Sequence, residues 1–132
     1  MSNIGGILSL LRQVVGANKI GEADLWSVLA IEVDGANDDL KGTVSDVQNN
    51  PVNSLSITID FSEGGADKQV VLVASASTVK MAKVSVNGKE DADARLIFSN
   101  KGSIGNPSRW GFDFKEITID GKDYRFNLRF DP

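Results

Sequence analysis

Residues 110–130 read Trp-Gly-Phe-Asp-Phe-Lys-Glu-Ile-Thr-Ile-Asp-Gly-Lys-Asp-Tyr-Arg-Phe-Asn-Leu-Arg-Phe. Asp120-Gly121 marks a type I′ hairpin, because both residues tolerate the positive φ that this turn requires. A two-residue turn there sets Ile119 opposite Lys122 and Ile117 opposite Tyr124. Upstream the apolar parity reverses: Trp110, Phe112 and Phe114 are even-numbered, whereas Ile117 and Ile119 are odd. Side chains of a strand alternate between its faces, so a slip of one residue would turn the aromatic rings to solvent. An extra residue at Lys115-Glu116, a β-bulge, restores a single apolar face. It brings Phe114 opposite Phe126, Phe112 opposite Leu128 and Trp110 opposite Phe130. The ribbon is expected to form a main wall of the core, with aromatic cross-strand pairs contributing roughly 0.2–1 kcal/mol each.

The rest of the chain from residue 26 repeats this grammar. Further strands are expected at Val28 to Val33, Leu40 to Val47, Leu55 to Phe61, Val70 to Ala74, and about 78–86 and 93–98. The third alternates cleanly, with Leu55, Ile57, Ile59 and Phe61 on one side and Ser56, Thr58 and Asp60 on the other. The run Val70-Val71-Leu72-Val73-Ala74 is apolar on both faces, as in a central strand covered on both sides. Glu63-Gly64-Gly65-Ala66-Asp67 reverses the chain, and Asn87-Gly88 is a second strong hairpin signal. About eight strands and no second helical region point to an all-β fold. The expected form is an antiparallel β-sandwich, with a jelly roll or a flattened barrel as its variants.

Residues 1–20 follow a different period. Ile4, Ile7, Leu8, Leu11, Val14 and Val15 recur at three- and four-residue steps, one stripe of an amphipathic α-helix. The stretch is too short for a membrane span and is interrupted by Arg12 and Gln13. It lacks the basic start of a signal peptide. The stripe is expected to pack on its own β-domain (26–132), with a neighbouring subunit or a membrane surface as alternatives. A helix ahead of a β-sandwich is a layout shared with pore-forming cytolysins of the actinoporin type. Their aromatic-rich lipid-binding surface has no evident counterpart here, and no residue roles are carried over.

The 132 residues fit one domain, and 41% hydrophobic with 24% charged residues is an ordinary globular balance. There is no Cys, which excludes disulfides and thiolate metal sites. There is no His, the usual general base near neutral pH and the commonest transition-metal ligand. No cofactor is expected, and the chain reads as a non-enzyme. The net charge of -4 is unevenly ordered. Residues 1–21 carry Arg12 and Lys19 without an acid (+2); 22–67 carry ten acids against Lys41 (-9); 68–132 carry eleven bases and eight acids (+3). That order makes no phosphate-binding surface, so nucleic acid is not an expected partner. A solvated surface with arbitrary charge order is the expected reading, with head-to-tail self-association through complementary patches as the alternative.

Two loops carry candidate ligand groups. The glycine-rich 99–109 segment, with Lys101, Gly102, Ser103, Asn106 and Arg109, offers backbone N–H groups and basic side chains without an acid. Asp34, Asn37, Asp38 and Asp39 offer oxygen ligands to a hard cation but lack the EF-hand spacing. For both, an ordinary exposed connection is the expected reading and ligand binding the alternative. The expected function is a structural, self-associating subunit of a particle such as a virion or similar complex, a homo-oligomer that is cytoplasmic or held within the assembly. The alternatives are a lipid-binding, pore-forming-like protein using the N-terminal helix and a small ligand- or carbohydrate-binding module using the 99–109 loop.

Overall fold

The computed structural model describes residues 20–35, 40–50, 54–75, 83–100 and 110–131. Among these residues a 3₁₀ turn at Ala23–Leu25 leads into nine strands: β1 Trp26–Val33, β2 Gly42–Asn50, β3 Ser54–Glu63, β4 Ala66–Ser75, β5 Lys83–Val86, β6 Lys89–Glu90, β7 Arg95–Asn100, β8 Trp110–Ile119 and β9 Lys122–Phe130. They form two antiparallel sheets, of order β1-β9-β8-β7 and β2-β3-β4-β5-β6. The N-terminal stripe from Ile4 to Val15 lies outside the described residues.

Each strand lies beside its sequence neighbour except at two seams, between β1 and β2 and between β6 and β7. Among the described strands this is an up-and-down order over two separate sheets, without Greek-key crossings. The tight turns impose it. Gly64-Gly65, Asn87-Gly88 and Asp120-Gly121 all have positive φ at both residues, as a type I′ turn needs. At the first seam Gly42 lets β2 approach β1, since a Cβ there would lie 3.0 Å from both the Ile31 side chain and the Asp60 carbonyl oxygen.

The expected bulge is present. Phe114 pairs with Phe126 and Ile117 with Tyr124, and the register shifts between them. Glu116 takes up the extra residue in the left-handed region, at φ 59°. Trp110, Phe112, Phe114, Phe126, Leu128 and Phe130 are buried on one face. Against them stand Leu55, Ile57, Ile59 and Phe61 of β3 and Val70, Leu72 and Ala74 of β4, all buried. Trp26 packs on Phe112 and Phe130 with ring centroids 4.8 and 4.9 Å apart, and Phe61 meets Phe126 at 5.5 Å.

Three expectations change. β4 is central, between β3 and β5, but only one of its faces is buried; Val71 and Val73 are half-buried on the outer face. Second, the Asn87-Gly88 turn does not join two long strands. It leads into the two-residue β6, and residues 95–100 pair with β8 in the other sheet. The Asp91 carboxylate directs this switch by accepting the Asp93 N–H at 3.1 Å and the Thr118 N–H at 3.0 Å. Third, β1 is bulged between Val28 and Ala30, where an unbroken apolar run gives no parity signal, and β2 between Val44 and Asp46, where the change from even Val44 to odd Val47 is the signal that the strand reading passed over.

Candidate functional site: two charged clasps and the edge strands of one sheet

The first charged cluster joins the two sheets. Glu63 ends β3 beside the Gly64-Gly65 turn, and Tyr124 stands near the start of β9 with its ring buried against Phe61 and Phe126. The Tyr124 hydroxyl donates to the Glu63 carboxylate across the sandwich. Lys68 donates to the same carboxylate at 2.9 Å and Lys122 at 3.2 Å. The hydrogen bond from Tyr124, then that from Lys68, lowers the Glu63 pKa from 4.5 to about 2. Burial of the phenol, then its bond to the carboxylate, raises Tyr124 from 10.0 to about 12. Both groups are thereby held in one protonation state across the neutral range. That is the behaviour of a structural clasp, since a proton-transfer group needs a pKa near the working pH.

The second cluster lies on the outer face of the four-stranded sheet. Arg125 of β9 grips Asp113 of β8 through two hydrogen bonds of 2.9 Å and also donates to Glu32 of β1. The Asp113 hydrogen bonds, above all, raise the Arg125 pKa. Arg95 and Glu116 form an exposed ion pair at 3.0 Å beside the bulge. The acidic first half of the chain thus supplies Glu32 and Glu63, and the basic second half supplies Arg125, Lys68 and Lys122. Part of the charge asymmetry read along the sequence is satisfied inside the domain.

Two open hollows accompany these clusters. One of about 520 Å³ lies over the ends of β2, β3 and β4 and is lined by Lys41, Thr43, Asp60, Ser62, Asp67 and Gln69 among others. Four of these side chains already bond one another: Gln69 donates to Asp60 at 2.8 Å and Ser62 to Asp67 at 3.1 Å. The other, about 270 Å³, lies beside Arg95, Glu116 and Arg125.

Of the candidate cation ligands only Asp34 is described. Its carboxylate accepts the Asp123 N–H at 2.9 Å and its own N–H donates to the Asp123 carbonyl at 2.6 Å, which ties the end of β1 to β9. Asn37, Asp38 and Asp39 lie outside the described residues, as do Lys101, Gly102, Ser103, Asn106 and Arg109. Among the described residues no three His, Cys, Asp or Glu side chains are grouped to hold a metal ion. No described helix is long and apolar enough to cross a membrane. Trp26 closes the core, 5% exposed, and its Nε1 donates to the Ile20 carbonyl at 3.0 Å.

The surface features that sequence reasoning missed are at the sheet edges. Among the described residues the only exposed large apolar side chains are Leu29, 51% exposed, and Ile97, 41% exposed. Leu29 sits on β1 and Ile97 on β7, the two edge strands of the same sheet. Ile97 occupies an outward position in the alternation of β7, so its parity was readable; that β7 forms an edge was not.

No protein-family model and no curated protein matches this chain.

Proposed function

We propose that this protein is a structural subunit that associates with copies of itself through its β-sandwich. The observation that carries the reading is the placement of Leu29 and Ile97 on the two opposite edges of the four-stranded sheet. An edge strand presents unpaired backbone groups and is a template for another chain, and an apolar side chain there adds to the attraction. The amphipathic helix at 1–20 belongs to the same proposal. Ile20, at the end of that segment, is fully buried, and its carbonyl accepts the Trp26 Nε1–H.

Sedimentation of the full-length chain over a concentration series tests the reading. A mass rising with concentration in multiples of the 14.1 kDa chain supports it, and a monomer across the whole soluble range overturns it.

A further inference from the structure

Resting on that reading, we infer that the contact is head-to-tail: β7 of one copy lies antiparallel beside β1 of the next, with Ile97 opposite Ala30 and Arg95 opposite Glu32. Strand polarity is the first support. The sheet order β1-β9-β8-β7 is antiparallel at every step, so its two edges run in opposite directions. A second copy displaced along the sheet, without being turned over, therefore brings β1 antiparallel to β7 and continues the sheet.

Charge is the second support. β1 carries one acid, Glu32, and no base; β7 carries one base, Arg95, and no acid. Pairing β1 with β1, or β7 with β7, by a two-fold axis gives neither charge an opposite partner. Pairing β1 with β7 sets Glu32 and Arg95 side by side while each keeps its present neighbour, Arg125 and Glu116. The result is a row of alternating charges across the junction.

The apolar side chains fit the same register. Leu96 and Ile31 point inward, whereas Ala30, Glu32, Arg95 and Ile97 are on the outer side of their strands. Matching Glu32 to Arg95 therefore keeps inward residues opposite inward ones, Ile31 facing Leu96. Ala30 leaves room for Ile97, and Leu29, pushed out by the bulge, lies next to it. Asp34 and Asp93, which would repel each other in a longer ladder, lie beyond the ends of the two strands. One strand-to-strand contact is smaller than a standard interface of about 1,600 Å², so assembly is concentration-dependent. The contact is heterologous, and such contacts generate rings or filaments.

Because the chain has no cysteine, disulfide trapping reads the contact directly. Full-length Ala30→Cys and Ile97→Cys proteins are mixed, oxidised and digested, and the linked peptides are identified by mass spectrometry. Opposite residues of antiparallel strands have Cα atoms about 4.5–5.5 Å apart, within disulfide range. The expected result is a 30–97 disulfide above the share given by random collision. Self-linked 30–30 or 97–97 products in excess, or a random mixture, overturn the head-to-tail inference. Ile97→Lys, at an exposed position, is the second variant: it is expected to abolish association with its circular dichroism spectrum unchanged. Sedimentation run in parallel separates the two failures. An oligomer without the 30–97 link overturns this inference alone, whereas a monomer overturns self-association as well.

Discussion

Two tryptophans in similar burial have opposite polar environments. Trp26 and Trp110 are each 5% exposed, but Trp26 Nε1 has the Ile20 carbonyl while Trp110 Nε1 has no hydrogen-bond partner among the described residues. A buried unmade hydrogen bond costs about 1–3 kcal/mol, and removing a satisfied donor orphans its acceptor. Trp26→Phe should therefore destabilise the fold by about 1–2 kcal/mol more than Trp110→Phe, read by urea denaturation. Equal losses would mean that packing alone decides both sites. Glu116 makes a second case. Its left-handed conformation costs a non-glycine residue about 1–2 kcal/mol, more for a β-branched one, and its exposed pair with Arg95 returns little. Glu116→Gly should leave the unfolding free energy unchanged or raise it, whereas Glu116→Val should lower it by about 1–2 kcal/mol.

At the scale of elements, parity carried most of the information. The shift from even to odd apolar positions between Phe114 and Ile117 located the β8 bulge because both sides of it face the core. The β1 bulge at Val28–Ala30 is silent in sequence, since Val28, Leu29, Ala30 and Ile31 are all apolar and no parity change shows. The 93–98 strand was visible as an apolar run, but its sheet was not. That choice depends on the Asp91 carboxylate reaching the Thr118 N–H, 27 residues away. Asp91→Ala should loosen this sheet-switching turn and cost about 1–2 kcal/mol, with faster amide exchange at Asp93 and Thr118. Unchanged protection there would remove Asp91 from the account of the switch. The Glu63 and Arg125 clusters had no sequence signature for the same reason: their partners Tyr124 and Glu32 are 61 and 93 residues distant.

For the whole molecule, the Glu63–Tyr124 clasp sets a pH window. Glu63 has a lower pKa folded than unfolded, so its contribution is complete above about 4.5 and is lost as pH falls toward about 2. Tyr124 has a raised pKa, so its contribution is complete below about 10 and is lost as pH rises toward about 12. Thermal midpoints against pH should fall at both ends. Glu63→Gln should flatten the acid limb and Tyr124→Phe the alkaline limb; unaltered limbs would place the pH dependence elsewhere. The order of charges along the sequence allowed self-association only as an alternative to an ordinary solvated surface. The fold pairs part of that charge internally and leaves Glu32 and Arg95 on opposite edges, a separation that only the strand order reveals.

We propose the two edges of the four-stranded sheet as the working surface of this protein. Light scattering on full-length wild type and Ile97→Lys, at matched concentrations in low and high salt, tests it most directly. The account predicts an oligomer for wild type that shrinks in high salt, as screening of Glu32 and Arg95 requires, and a monomer for the variant in both. The same mass for the two proteins would contradict it.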